Sequence, residues 1–325
     1  MAVRDQVKLS SLVTSILHRA FYLSKIKDVF FSDDSELKLI EKEAFTNCSI
    51  HSISIPAHVT EIGDKAFYNS SRFKNIHFSD NSELKTIGVA SFSSTIIESI
   101  SIPSSLIEIK ESSFANCCLL NEVIIPCNSK LQYIGEKAFI NTIINSFYIP
   151  DDLKELKSAC LSSIHLTDIK ISPKNKKFSI WDDQIVVEKS GKNKDSFDVI
   201  VFAKRDIINI RIPKIIEKIE PFAFNSCVHL KNVDFEENSQ LKSIGISSFS
   251  GSSIASISIP KSVSEISAEA FSYCEYLCIF EIPENSKIEK INWSIFISSY
   301  IDIFLIPPDL IGKINDNLKV IYNTD

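Results

Sequence analysis

Eight cysteines and six histidines are the residues with the clearest potential for chemistry, because they could form disulfides or hold a metal ion. Four of the cysteines each follow a phenylalanine by three residues: Cys48, Cys117, Cys227 and Cys274. Neither the Cys117-Cys118 pair nor Cys278 has a matching histidine or second cysteine pair at zinc spacing. The histidines occupy unrelated positions. We therefore predict free, buried thiols and no metal site.

Catalytic and phosphate-binding motifs are missing from the sequence, which has no nucleophile elbow, no zinc-protease helix motif and no P-loop. Four of the seven glycines, at positions 63, 88, 135 and 245, each stand four residues before an aromatic residue. This regular placement indicates a backbone requirement and not a nucleotide site. We predict a protein that is not an enzyme and has no cofactor. So few glycines also predict turns that rarely need a positive φ.

The charge balance argues against several partners. The chain has 35 Lys and Arg against 41 Asp and Glu, a net charge of −6, and the two signs are interspersed. A nucleic-acid-binding surface would show a basic patch, so we expect no nucleic-acid partner. No apolar run reaches the roughly 18 residues that cross a bilayer, so we predict no transmembrane segment.

The elements that must position these residues are repeats. An Ala-Phe pair or its equivalent recurs at steps of mostly 22 and 25 residues, at Phe21, Phe45, Phe67, Phe92, Phe114, Phe139, Cys160, Phe224, Phe249, Phe271, Phe296 and Leu318. A short alternating apolar segment precedes each of them by about ten to fourteen residues. A period of this length, repeated this often, is typical of a solenoid.

One repeat, from Ser52 to Phe67, shows what each position does. The alternation over Ser52 to Ile55 predicts a short strand with one buried face. Pro56 removes the next ladder hydrogen bond and ends the strand. Val59, Ile62 and Phe67 then point one apolar stripe inward through a single helical or 3₁₀ turn. Each repeat therefore makes one circuit of a coil.

These repeats resemble the BspA-like leucine-rich repeat family, whose units read Ile-x-Ile-Pro-x-x-Val-x-x-Ile-Gly-x-x-Ala-Phe-x-x-Cys. The fullest matches are 53–67, 100–117, 210–227 and 257–274. The resemblance implies an α/β solenoid, a right-handed leucine-rich-repeat stack with one parallel β-sheet, short helical or 3₁₀ turns and one inserted β-hairpin. It also implies a cell-surface or secreted adhesin or antigen that binds host extracellular matrix or cell-surface proteins. The alternative is a cytoplasmic leucine-rich-repeat scaffold or regulator.

The alternating apolar segments that end at Ile171 and Ile212 are 41 residues apart, and this long step divides the chain into three parts. We predict an N-terminal repeat block over 1–172, an inserted β-hairpin element over 173–209 and a C-terminal block over 210–325 that continues the same solenoid. Within the insertion, 185–187 and 199–201 are apolar runs on either side of a polar stretch around Gly191, which predicts two strands joined by a long tip. Members of the family carry an Asp-Gly-Val-Leu-Tyr-like motif here, and Asp183 to Val187 lacks its glycine.

The N-terminal segment Leu9 to Leu17 could serve as the apolar centre of a signal peptide. However, Val13 to Ile16 followed by Ala20-Phe21 matches the repeat position by position, and no small-residue cleavage site follows. We therefore predict a repeat and no cleaved signal. Asn47, Asn69 and Asn292 begin glycosylation triplets, which would matter only in a secreted protein.

The outward positions of the predicted strands give a candidate binding face. If Ile53 and Ile55 point inward, Ser54 points outward and starts a column that runs through every repeat. Its middle is apolar and aromatic, followed by basic residues, a composition found at interface hot spots. We predict a protein-binding patch at His77, Ile124, Tyr148, Lys170 and Arg211.

Overall fold

The computed structural model describes residues 5–191 and 194–311, which fall into two compact units, Met1–Lys177 and Phe178–Asp325. Both units contain stacked coils joined by parallel β-pairing, as in a β-solenoid. Helix is almost absent from the described residues, with one 3₁₀ helix, η1 (Trp293–Phe296), and one short α-helix, α1 (Pro308–Ile311). No helix within these ranges has the length and apolar character needed to cross a membrane.

Each coil of the first unit contributes a strand of three or four residues to one face. These strands are β1 (Gln6–Leu9), β3 (Asp28–Phe31), β5 (Ser52–Ile55), β7 (Asn75–Phe78), β9 (Ser99–Ser101), β11 (Glu122–Ile124), β13 (Ser146–Ile149) and β15 (Asp168–Ile171). They pair in parallel as β1–β3–β5–β7, β9–β11 and β13–β15. Strand β7 also lies beside β9, and β11 beside β13. Most of the residues predicted to point inward, such as Ile53 and Phe147, are buried, while Val7 and Leu9 in the first coil are half-buried.

A second parallel sheet runs along the same coils, so the predicted single sheet is wrong. Its strands have two residues each: β2 (Ser15–Ile16), β4 (Leu39–Ile40), β6 (Glu61–Ile62), β8 (Thr86–Ile87), β10 (Glu108–Ile109), β12 (Tyr133–Ile134) and β14 (Glu155–Leu156). So short a strand gives no alternating pattern in the sequence. It forms because coils approach closely here: a Cβ on Gly88 would lie 2.6 Å from the backbone nitrogen of Asp64.

The turn that follows each short strand is not a helix. In the coil of Phe67, the N–H groups of Lys65, Phe67 and Asn69 donate to carbonyls of the next coil at 2.7–2.9 Å. The N–H groups of Ala66 and Tyr68 donate three residues back within the coil. Because only every second N–H bonds locally, no continuous helix can form. The predicted helical or 3₁₀ turn is therefore wrong outside η1, and the α/β description does not fit the described residues.

Positive φ angles are frequent, which contradicts the expectation drawn from the low glycine count. Among the described residues, 23 that are not glycine have positive φ. Most lie two residues before or after the ring position, as at Lys65 (55°) and Asn69 (54°). The left-handed conformation costs an ordinary residue about 1–2 kcal/mol. Here the hydrogen bonds between coils offset that cost, since the conformation aims alternate N–H groups at the next coil.

The phenylalanines form a buried ladder, as the repeat predicts. From Phe21 to Phe139, successive rings stack 4.9–5.2 Å apart and are tilted by at most 10°. The assignment of Cys160 to this ladder is wrong. Its carbonyl accepts from the N–H of Phe139 as that of Ala138 accepts from Phe114, so Cys160 takes the alanine position and Leu161 the ring position. Leu318 lies outside the described residues.

The second unit begins with three antiparallel strands, β16 (Phe178–Trp181), β17 (Ile185–Glu188) and β18 (Val199–Ala203). The two apolar runs of the insertion are β17 and β18, and β16 is a third strand that the sequence pattern did not indicate. Coils follow, with long strands β19 (Asn209–Ile212), β21 (Asn232–Phe235), β23 (Ser256–Ser258), β25 (Ile279–Glu281) and β26 (Ile303–Leu305) and short strands β20 (Lys218–Ile219), β22 (Ser243–Ile244) and β24 (Glu265–Ile266). That these coils continue the solenoid of the first unit stays a prediction.

Candidate binding face

The outward side chains of the long strands line up across the coils of the first unit. We call the following set the outer column: Lys8, Phe30, Ser54, His77, Ser101, Ile124, Tyr148 and Lys170. Strand register places neighbours side by side, with Ser54 opposite His77 and Tyr148 opposite Lys170. Side chains alternate between the two faces of a strand, so inward neighbours fill the core and the outer column faces solvent.

The predicted patch residues of the first unit lie in this column. Ile124 is 47% exposed, His77 and Lys170 are exposed, and Tyr148 is half-buried. Tyr148 and Lys170 are direct cross-strand neighbours, and Ile124 lies on the adjacent strand. The ammonium of Lys170 stands 3.4 Å from the carboxylate of Asp168. The structure thus brings three predicted residues onto successive coils, with His77 further along the column.

Arg211 lies in the second unit, in the equivalent column of β19 to β26. This column comprises Arg211, Asp234, Ser258, Glu281 and Leu305. Arg211 is exposed and stands opposite Asp234 in the strand register. The structure therefore shows its place in its own unit.

The predicted patch leaves out several apolar residues on these faces. Phe30 is 49% exposed in the outer column, and Leu305 is 49% exposed in the equivalent column. Ile279 and Ile303 are exposed cross-strand partners two residues before that column. The strand alternation that selected Ile124 already places Phe30 and Leu305 in the outward column, and it could have identified Ile279 and Ile303, because each stands at an outward position.

The cysteines serve packing and hydrogen bonding. All eight are free, and Cys48, Cys117, Cys160, Cys227 and Cys274 are buried. The Cys117 thiol donates to the Phe92 carbonyl at 3.1 Å, as the Ser70 hydroxyl donates to the Phe45 carbonyl at 2.7 Å. Cys274 and Ser299 donate in the same way to the carbonyl of the ring residue in the preceding coil, whereas Thr95 and Thr142 donate to the ring carbonyl of their own coil.

The chemistry of these thiols is suppressed by their surroundings. Burial raises the pKa of Cys117 to about 11 and that of Cys160 to about 12. A protonated thiol is a poor nucleophile and a poor metal ligand. Within residues 5–191 and 194–311, no three His, Cys, Asp or Glu side chains gather in a metal-binding group.

The comparisons with known proteins agree with the coil geometry. The BspA type leucine-rich repeat region matches in six copies, over residues 4–121, 85–180 and 196–318. The chain belongs to the BspA-type leucine-rich repeat family. No curated relative matches this BspA-type chain.

Two solved structures share the fold of this BspA-type chain. A leucine-rich cell surface protein from Faecalibacterium prausnitzii is 21% identical, with a TM-score of 0.62 over 95% of this chain and 90% of that one. A leucine-rich repeat protein from Bacteroides ovatus is 22% identical, with a TM-score of 0.53 over 92% of this chain and 74% of that one. At this level of identity, the similarity establishes the fold.

Proposed function

We propose that this BspA-type protein is a non-enzymatic, protein-binding module of the cell surface or secreted space, and that it engages host matrix or cell proteins through the outer column. The observation that carries the proposal is the outward row of Ile124, Tyr148 and Lys170 on successive coils, in which Ile124 and Lys170 are exposed and Tyr148 is half-buried. Their inward neighbours fill the core, so the fold does not require an isoleucine or a tyrosine at these outward positions. Solenoids use such extended faces to hold partners.

The composition of the row fits a protein partner. Ile124 and Tyr148 supply apolar and aromatic area, while Lys170 and, in the second unit, Arg211 supply charge, and hot spots are enriched in aromatic and arginine side chains. His77 adds a polar group further along. A surface location is supported by the family and by the F. prausnitzii neighbour, which is described as a cell surface protein.

An intracellular scaffold is the second candidate, and the exposed free thiols of Cys118, Cys127 and Cys278 favour it. Exposed thiols persist more readily in reducing compartments. Labelling intact cells with a membrane-impermeant biotin reagent, with a cytosolic protein as control, distinguishes the two. Labelling equal to that of the cytosolic control would overturn the surface assignment.

The binding face is tested with Ile124→Ala combined with Tyr148→Ala against a panel of purified matrix glycoproteins and cell-surface ectodomains. The matched control combines Ser54→Ala with Ser101→Ala in the same column. We expect the first variant to weaken binding at least tenfold, because each large anchor contributes about 1–2 kcal/mol, and the control to bind like the parent. Unchanged melting confirms folding. Affinity of the first variant within twofold of the parent would remove the outer column from the proposal.

A further inference from the structure

The loops that follow the long strands alternate in length throughout both units. In the first unit, the inward Val59 comes four residues after Ile55, whereas Leu84 comes six residues after Phe78. In the second unit, Val263 comes four residues after Ile259, and Ile288 comes six residues after Ile282. Because coils stack about 4.8 Å apart, each short loop is recessed between two longer ones.

Two such recesses form notches, at equivalent places in the two units. In the first unit, a notch of about 620 Å³ has its floor at 56–58 and its walls at 32–36 and 79–80. In the second, a notch of about 960 Å³ has its floor at 260–262 and its walls at 236–239 and 283–287. Their shared position indicates that the alternation of repeat length builds them.

The notch of the second unit holds charges of both signs that do not meet. Asp234 and Glu237 line one side, Lys261 the floor and Lys287 the opposite wall, and all four are exposed. Within the described residues, no ion pair joins any of these four to another side chain. In the same unit, by contrast, Lys242 pairs with Glu217 at 2.7 Å. The notch therefore presents separated positive and negative surfaces across one opening.

The rest of the lining is suited to a polypeptide backbone. Asn238, Asn285 and Ser258 offer amide and hydroxyl groups that can donate and accept, and the half-buried Phe235 adds apolar area. Asp234 and Ser258 also belong to the outward column of the second unit, so the notch is continuous with the strand face.

The first-unit notch provides a natural comparison. It has the same architecture, but Asp33, Asp34 and Asp80 line it together with His58 and His77, and no lysine or arginine does. His58 already stands 3.5 Å from a carboxylate oxygen of Glu83. The lining of the first-unit notch can therefore complement only a positive charge. The lining of the second-unit notch can complement a positive and a negative charge at the same time.

We propose that the notch of the second unit binds an extended peptide segment that carries one basic and one acidic side chain a few residues apart. This deepens the proposed function and rests on it, since the segment would belong to the protein partner. An extended chain advances about 3.3 Å per residue and alternates its side chains between two faces, so opposite charges two residues apart point the same way and are separated by about 7 Å. The basic side chain faces Asp234 and Glu237, and the acidic one faces Lys261 and Lys287.

The test uses capped octapeptides of serine and glycine that carry one lysine and one glutamate two residues apart. Peptides with two lysines, two glutamates or no charge serve as comparison probes, with a neutral oligosaccharide as a fifth. Backbone amide NMR of the full chain follows each titration. We expect the mixed-charge peptide to bind most tightly and to shift the amide signals of 232–239, 256–262 and 283–287. This binding should disappear in about 0.5 M NaCl, where charges are screened within a few ångströms.

Two variants assign the charges: Lys261→Ala with Lys287→Ala, and Asp234→Asn with Glu237→Gln. Each variant should lower the affinity for the mixed-charge peptide by about threefold to fivefold, as expected for exposed charges. The control, Lys38→Ala with Lys85→Ala, should leave that affinity unchanged. Equal shifts from the neutral peptide or the oligosaccharide, or unchanged affinity in both notch variants, would overturn the proposal. If the mixed peptide binds but no protein partner responds to the Ile124 and Tyr148 changes, the outer column fails and the notch stands.

Discussion

Each unit contains an aromatic ladder of the same kind, but the two ladders differ in regularity. In the first unit, the rings from Phe21 to Phe139 stay within 10° of parallel. In the second, the stack from Phe224 to Phe271 is equally regular, but Phe296 is tilted by 31° from Phe271. Phe296 belongs to η1, where a 3₁₀ helix replaces the chain of tight turns. Ring stacking is therefore a consequence of the turn conformation, and it ends where that conformation changes.

The largest expected effect comes from removing a ladder ring, and it shows whether the ladder contributes equally to the stability of both units. Phe114→Ala in the first unit and Phe271→Ala in the second each remove a fully buried ring. We expect each to lower the free energy of unfolding by about 3–5 kcal/mol through lost burial and a cavity. Chemical denaturation followed by circular dichroism measures this. A loss below about 1 kcal/mol at either site would show that the ladder does not support that unit.

Phe114→Leu is the matched control, because Leu161 already occupies a ring position in the first unit. A leucine keeps most of the buried volume, so we expect a loss of less than about 1.5 kcal/mol.

The second effect compares close coil contacts with an open loop. In Gly88→Ala, the new Cβ would lie 2.6 Å from backbone atoms of Asp64 and Gly63. Backbone cannot move aside without separating the coils, so we expect a loss of about 3 kcal/mol, at the upper end for overpacking. Gly191 has no atom within 4 Å of the same position, and Gly191→Ala should leave stability nearly unchanged. Similar melting temperatures for the two variants would contradict the close approach of coils.

The sequence predicts most of what lies inside a coil and little of what lies between coils. Strand alternation identifies Ile53 as inward and Tyr148 as outward because both facts depend on local periodicity. The left-handed conformation of Lys65 has no local signal, since its N–H bonds to Val89 in the next coil. Cys160 was misplaced by one residue because its coil lacks the phenylalanine that marks the register.

The candidate site shows the same division. The order of residues in the outer column follows from the strand register. The half-burial of the Tyr148 side chain depends on how the neighbouring coils pack around it, and the sequence alone does not reveal that packing. The notches could have been predicted from the alternating spacings of four and six residues after the long strands. Whether the charged side chains that line them form ion pairs could not, because that depends on how neighbouring coils place those side chains.

The third effect is confined to the second unit, where Asp198 is buried at the base of the β17–β18 tip. Its carboxylate accepts from the Ser190 N–H at 2.8 Å and the Ser190 hydroxyl at 2.7 Å, and it pairs with Lys194. Burial opposes the charged form, but these hydrogen bonds and the charge of Lys194 outweigh it and hold the pKa of Asp198 below its ordinary value. We expect Asp198→Asn to cost about 2 kcal/mol at neutral pH.

The pH dependence follows from the sign of that shift. Because the pKa is lower in the folded state, the contribution is present above the ordinary aspartate pKa and is lost as pH falls through the folded value. Asp198→Asn should therefore converge with the parent in acid, in denaturation curves measured across the acid range. A difference in stability that stays constant with pH would show that the charge contributes nothing.

The smallest expected effect concerns residues with positive φ, which occur both in the β16–β17 hairpin turn and in the turns of the coils. Asp182 and Asp183 turn the β16–β17 hairpin with φ of 50° and 52°, and Ala90 in the first unit has φ of 51° within a coil. The hairpin turn favours glycine at its second central position, and alanine has no side-chain group to ease this conformation. Asp183→Gly and Ala90→Gly each relieve folded-state strain of about 1–2 kcal/mol. Glycine also raises the conformational entropy of the unfolded chain, which lowers stability by about 0.5–1 kcal/mol. We therefore expect the free energy of unfolding to rise by about 0.5 kcal/mol in each variant. Asp183→Asn separates the loss of the exposed Lys204 ion pair, which should contribute little, from the backbone effect. If Ala90→Gly destabilises while Asp183→Gly does not, the bonds between coils relieve the strain at Ala90, and left-handed geometry in the coils costs less than it does in the hairpin.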